Sequence, residues 1–142
     1  RDIGEADLKD IIGTKNLDTA LHYQADMFEN VFIENLGDGT FAIKQLPVQA
    51  QLAPVLDVQM VDVDKDGIKE LITIGNFHNV EVETIRFDAS IGSVMKYQDG
   101  FKPMNAIETG LYANQDAKSS VIIGDYLMIA NNNSKLDIYK IN

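Results

Sequence analysis

Hydrophobic and polar residues alternate along most of this chain in short runs. Leu21, Tyr23, Ala25 and Met27 alternate with polar neighbours, and Leu56, Val58 and Met60 alternate against Val55, Asp57, Gln59 and Val61. A period of two is the signature of a half-buried strand. The pattern predicts strands at 20–27, 30–35, 40–46, 55–61, 70–75, 79–88, 93–98, 101–107, 119–123, 126–131 and 135–141. Turn signals separate them at Gly37-Asp38-Gly39, Asp66-Gly67, Asp99-Gly100, Gly124-Asp125 and Asn131-Asn132-Asn133. The run at 20–27 also fits a helix through Leu17, Leu21, Ala25 and Phe28, but the turns and strands around it favour a strand. Only the N-terminus reads as helical, over about residues 3–12. Asp2 and Glu5 have capping-box spacing there, Ala6, Leu8, Ile11 and Ile12 share a face, and Gly13 marks the stop. Short, evenly spaced strands suggest an all-β sandwich, barrel or propeller.

One turn carries chemistry. Residues 62–70 read Asp-Val-Asp-Lys-Asp-Gly-Ile-Lys-Glu, so Asp62, Asp64 and Asp66 alternate, Gly67 permits a sharp turn and Glu70 adds a fourth carboxylate. Four like charges so close together repel unless a hard divalent cation with oxygen ligands, Ca2+ above all, neutralises them. An EF-hand opens the same way but needs a glutamate at loop position 12, on an outgoing helix. Position 12 here is Thr73, the acid sits at position 9, and Leu71-Ile72-Thr73-Ile74 reads as a buried strand. The loop therefore joins strand to strand. Asp and Gly gather in turns for conformational reasons alone; the ninth-position acid and the flanking apolar strands set this turn apart.

A strand, an Asp-x-Asp-x-Asp-Gly-x-x-acid loop and a second strand resemble the FG-GAP or VCBS-type repeat of integrin-α-like β-propellers. Glu34-Asn35-Leu36-Gly37-Asp38-Gly39-Thr40-Phe41 resembles the turn that precedes the calcium strand pair in bacterial members of that family. Glu70 stands where the family usually has Asp. The resemblance covers about residues 30–80. It implies a Ca2+ held by the side chains of Asp62, Asp64, Asp66 and Glu70 and by the backbone carbonyl of Ile68. It also implies an extracytoplasmic location, periplasmic, secreted or at the cell surface, and adhesion to a protein or glycan through surface loops. The alternative is an accessory domain of a larger extracellular polysaccharide-active enzyme.

A faint internal echo favours the propeller among the all-β architectures. Gly39-Thr40-Phe41-Ala42 returns as Asp99-Gly100-Phe101-Lys102, and Ile72-Thr73-Ile74-Gly75-Asn76 returns as Leu127-Met128-Ile129-Ala130-Asn131. Eleven predicted strands make about three four-stranded blades, fewer than a closed ring needs. The expected architecture is an incomplete β-propeller of about three antiparallel blades with a short N-terminal helix. Its parts are a helical lead-in at 1–15, a first blade portion at 16–53, the calcium-loop blade at 54–110 and a last portion at 111–142. Exposed sheet edges would then lead to self-association. The chain begins at Arg1 without an initiator Met, and we expect it to be a piece of a longer protein.

Composition narrows the partners. The 142 residues carry 22 acids against 12 bases, a formal charge of −10, and 45% are hydrophobic. Spread-out acidity disfavours nucleic acid and anionic membrane surfaces. No apolar run approaches the ~18 residues of a membrane-spanning helix. Cysteine is absent, which removes disulfides and thiolate chemistry.

Catalytic motifs are missing. Ser90 and Ser93 flank Gly92 without a G-x-S-x-G pattern, and His22 and His78 lie too far apart for zinc spacing. Gly37 and Gly39 belong to a turn that no helix follows, so they form no phosphate loop. Glu81 and Glu83 share one strand face and read as a solvated face. A non-enzymatic chain is the expectation. Asn76, Phe77, His78 and Asn79, just past the calcium strand pair, place amides, an aromatic ring and an imidazole at a strand end. They are the candidate ligand-binding residues.

Overall fold

The structure, a computed structural model, describes residues 3–141. It is mostly β, with three small antiparallel sheets and a few short helices. The first sheet pairs β1 (Val31–Asn35) with β2 (Phe41–Gln45). The second is a four-stranded meander of β3 (Asp57–Val61), β4 (Glu70–Ile74), β5 (Ser93–Tyr97) and β6 (Phe101–Pro103). The third contains β7 (Ala117–Ile123), β8 (Tyr126–Asn131) and β9 (Asp137–Lys140). Among the described residues the three sheets close neither a barrel nor a ring. No described helix is long and apolar enough to cross a membrane.

The middle sheet is covered on both faces, and β4 shows why. Side chains alternate across a strand, and all five β4 residues are buried. Ile72 and Ile74, with Val94 of β5, pack against Ala117, Leu127 and Ile129 of the third sheet and against Leu111 and Ala113. Leu71 and Met95 face the other way, onto Ala50, Leu46, Val55 and Phe101. On that side Phe32 of β1 meets Tyr97 and Phe101 edge-on, at ring-centroid distances of 6.4 and 5.2 Å. Polar groups tie the second and third sheets together as well. The Asp57 carboxylate accepts bonds from the N–H and hydroxyl of Ser120, and Gln59 Nε2 donates to the Ser120 carbonyl at 3.1 Å.

The internal echo has a structural counterpart. Gly37 and Gly39 turn β1 into β2, and Asp99 and Gly100 turn β5 into β6, all four with positive φ. Ile72 and Ile74 of β4 and Leu127 and Ile129 of β8 lie in the same apolar core.

Several expected elements differ. Residues 20–27 form no strand; Leu21 and Tyr23 stand exposed on an extended segment without a ladder partner. The stretch at 79–88 is an irregular loop, closed where Phe77 and Phe87 exchange two backbone hydrogen bonds of 2.8 and 3.0 Å. Alternation alone cannot make a strand, because every hydrogen bond of a ladder is made with a neighbouring strand. The strand expected at 101–107 stops at Pro103, and Asn105 caps α3 (Ala106–Thr109). At the N-terminus a 3-10 turn (Ile3–Glu5) precedes α1 (Leu8–Ile12), whose capping box is Asp7 with Asp10. Gly13 does end that helix, and α2 (Thr14–Asp18) follows at once. The cap expected at Asp2 lies outside the described residues.

Candidate metal centre

The 62–70 loop is the hairpin between β3 and β4, with Val61 paired to Glu70. Lys65 and Gly67 take positive φ of 61° and 89°, which lets the chain reverse inside the loop. The carboxylates organise the backbone. Asp62 accepts from the N–H groups of Asp66 (3.1 Å) and Gly67 (2.9 Å), and Asp66 accepts from Ile68 N–H at 2.8 Å.

Glu70 is the unusual member. It starts a core strand and is fully buried. One carboxylate oxygen, Oε2, accepts from Val63 N–H at 2.8 Å. The other, Oε1, is closed off from solvent and has no hydrogen-bond partner. A buried carboxylate oxygen without a partner is costly. Oxygens of Asp62, Asp64 and Glu70 gather within 4.8 Å of one another, a donor set suited to a hard divalent cation. A cation held there would complete the coordination of Glu70.

Asp66 does not join that group of side chains. Asp66 turns its remaining oxygen to Lys96, whose Nζ also lies 2.7 Å from Asp64 Oδ2. The two carboxylates hold the Lys96 ammonium pKa above its ordinary value, and hydrogen bonding from Lys96 lowers that of Asp66. Ile68 is half exposed on the rim of the loop. Lys96 escaped the sequence reading because it lies on β5, far along the chain. The ladder delivers it: Leu71 pairs with Met95, so one step further Lys96 stands opposite Glu70. Its ammonium is a tethered cation that would compete with a metal for Asp64. Lys96→Met will therefore tighten calcium binding and widen the gap between melting temperatures in calcium and in chelator. Calorimetric titration and paired melts measure both, and weaker calcium binding by the variant would contradict this role.

The four candidate ligand residues separate into two kinds. Asn76 is fully buried and clamps the core. Its amide donates to the carbonyls of Ser90 (2.9 Å) and Gln115 (3.0 Å) and accepts from Ser90 N–H at 3.1 Å. Phe77, His78 and Asn79 lie nearer the surface. Phe77 has Lys118 Nζ 4.8 Å from its ring centre. His78 donates its backbone N–H to Asp116 Oδ1 at 3.2 Å. Asp116 is itself buried and paired with Lys118 at 2.6 Å. Burial raises its pKa, but hydrogen bonds from Lys118, Asn132 and the His78 N–H outweigh that and hold it below the ordinary carboxylate value. Nothing in the local pattern of Gln115-Asp116-Ala117-Lys118 announces the bond that reaches Asp116 from the His78 N–H, 38 residues away.

Comparison with protein families, characterised proteins and solved structures finds no match to this chain, so the likeness to FG-GAP repeats rests on its own residues.

Proposed function

We propose that the chain is a non-enzymatic, calcium-binding β-repeat module of the FG-GAP or VCBS kind, from an extracytoplasmic protein that engages a protein or glycan. The observation that carries the metal assignment is the buried, unpartnered Glu70 Oε1 in a carboxylate group formed with Asp62 and Asp64. Calcium there is structural. It neutralises the acids and pins the β3–β4 hairpin, whose second strand lies at the centre of the core. Thr73 lies in the buried strand where an EF-hand has its bidentate glutamate and outgoing helix, so the ion acts as a staple and not as a switch.

The propeller reading is supported by the stacking of sheets face to face around a four-stranded meander. It is supported too by the two outermost sheet faces, which stay apolar and exposed: Ile33, Phe41 and Ile43 on the first sheet, Val121, Ile123 and Ile138 on the third. Faces of that kind ask for a further sheet, supplied by more blades of a longer chain or by self-association.

The metal assignment has a direct test. In metal-stripped buffer, calcium will raise the melting temperature, excess chelator will reverse the rise, and Asp64→Ala will abolish the response. A wild-type melt indifferent to calcium and chelator would remove the assignment.

A further inference from the structure

A second site lies at the far end of β4 from the metal loop. There the 78–86 loop, the Gln115–Asp116 stretch and the turn after β8 enclose a pocket of about 230 Å3. That is below the ~300–1,000 Å3 of pockets for drug-sized ligands, and it suits a single small ring. Its walls are polar: the amides of Asn79, Gln115 and Asn133, the hydroxyl of Ser134, the imidazole of His78 and the guanidinium of Arg86.

Two observations say what the pocket recognises. First, the lining holds one cation without a partner, Arg86. The Asp116 carboxylate is satisfied from below by Lys118, Asn132 and the His78 N–H. Arg86 has no ion pair or hydrogen bond among the described residues, in a chain of net charge −10. An unpaired guanidinium at a pocket wall is a bidentate receptor for a carboxylate. Second, the remaining walls are amides and a hydroxyl, which both donate and accept and so match the hydroxyls of a sugar.

We propose that this pocket binds a uronate, a sugar ring bearing a carboxylate, with Arg86 on the carboxylate and the amides of Asn79, Gln115 and Asn133 on the ring hydroxyls. The proposal deepens the reading of the chain as a glycan-binding module and rests on it. It makes no use of the metal, which lies at the opposite end of β4.

The test is a titration of isotope-labelled, calcium-loaded protein with digalacturonate, followed by amide chemical shifts. Cellobiose serves as the neutral control and N-acetyl-alanyl-alanine as a peptide carboxylate. Digalacturonate should shift the amides of 78–86, 115–116 and 132–134. Arg86→Met should weaken it at least about tenfold, the loss expected for a charge-assisted pair. Asn133 sits at φ 55°, so Asn133→Gly removes its amide while keeping the backbone, and should weaken binding by a smaller factor. Both variants should melt as the wild type does. Equal binding of cellobiose would overturn the carboxylate assignment while leaving a glycan module standing. Equal binding of the peptide would overturn the sugar assignment. No response to any of the three would overturn the proposal, and a calcium-dependent melt in that same sample would show the metal reading surviving it.

Discussion

Glu70→Gln will raise the melting temperature in excess chelator and erase the gain that calcium brings to the wild type. The two effects have opposite signs because one carboxylate does two jobs. Without metal, Glu70 carries a charge into the core with only Oε2 hydrogen-bonded, to Val63 N–H. An unsatisfied buried polar group costs about 1–3 kcal/mol, more when charged. Glutamine keeps the shape and the acceptor for Val63 while dropping the charge, so the metal-free fold gains. With metal, the balance reverses. An ion at a hundred times its dissociation constant stabilises the folded state by about 2.7 kcal/mol. Near this chain length each kcal/mol moves the melting temperature by about 2–4 °C. Wild type should therefore gain about 5–10 °C from saturating calcium and the variant almost nothing. Melts of both proteins, with calcium and with chelator, give the four values. If the variant melts well below wild type in chelator, Glu70 is satisfied by protein groups alone and the metal argument fails.

Gly75→Ala will destabilise the fold by at least about 3 kcal/mol, at the upper end for overpacking a core. Gly75 follows β4 directly, against the 54–56 backbone. A Cβ there would lie 2.0 Å from the Pro54 carbonyl oxygen and 2.7 Å from Leu56 N. Both are backbone atoms, so no rotamer change can relieve the clash. Moving that segment would also break the 2.9 Å bond from Leu56 N–H to the Ile74 carbonyl. Gly75 and Glu70 stand at opposite ends of β4, so the variant should keep its calcium increment on a lower baseline. Urea unfolding with and without calcium separates the two terms. A variant within about 1 kcal/mol of wild type would mean that the Pro54–Leu56 crossing is loose.

The two experiments act on one strand, and β4 also shows how far local pattern reaches. Its apolar run, its opening acid and its closing glycine are contiguous in sequence, so the strand and its hairpin were legible there. The strand expected at 79–88 had clear alternation, with Val80 and Val82 against Glu81 and Glu83, yet Val82 stands fully in solvent. The difference lies in partners. Glu70–Ile74 has β3 on one side and β5 on the other, while the 78–86 stretch has no strand partner among the described residues and is closed only at its base by the Phe77–Phe87 bridge. Periodicity reports which side chains would face a core. It does not report whether a neighbouring strand exists.

By itself the sequence determined the 62–70 hairpin: its turn, the acids spaced along it and the two strands it joins. Those features are set by residues close together in the chain, where carboxylate spacing and glycine conformation act directly. The tertiary structure decided what the loop's charges meet. The burial of Glu70, the arrival of Lys96 at Asp64 and Asp66 and the bond from the His78 N–H to Asp116 all depend on ladder register and on sheets stacking face to face. Those contacts join residues tens of positions apart, and local pattern does not encode them because burial and pairing belong to the assembled core.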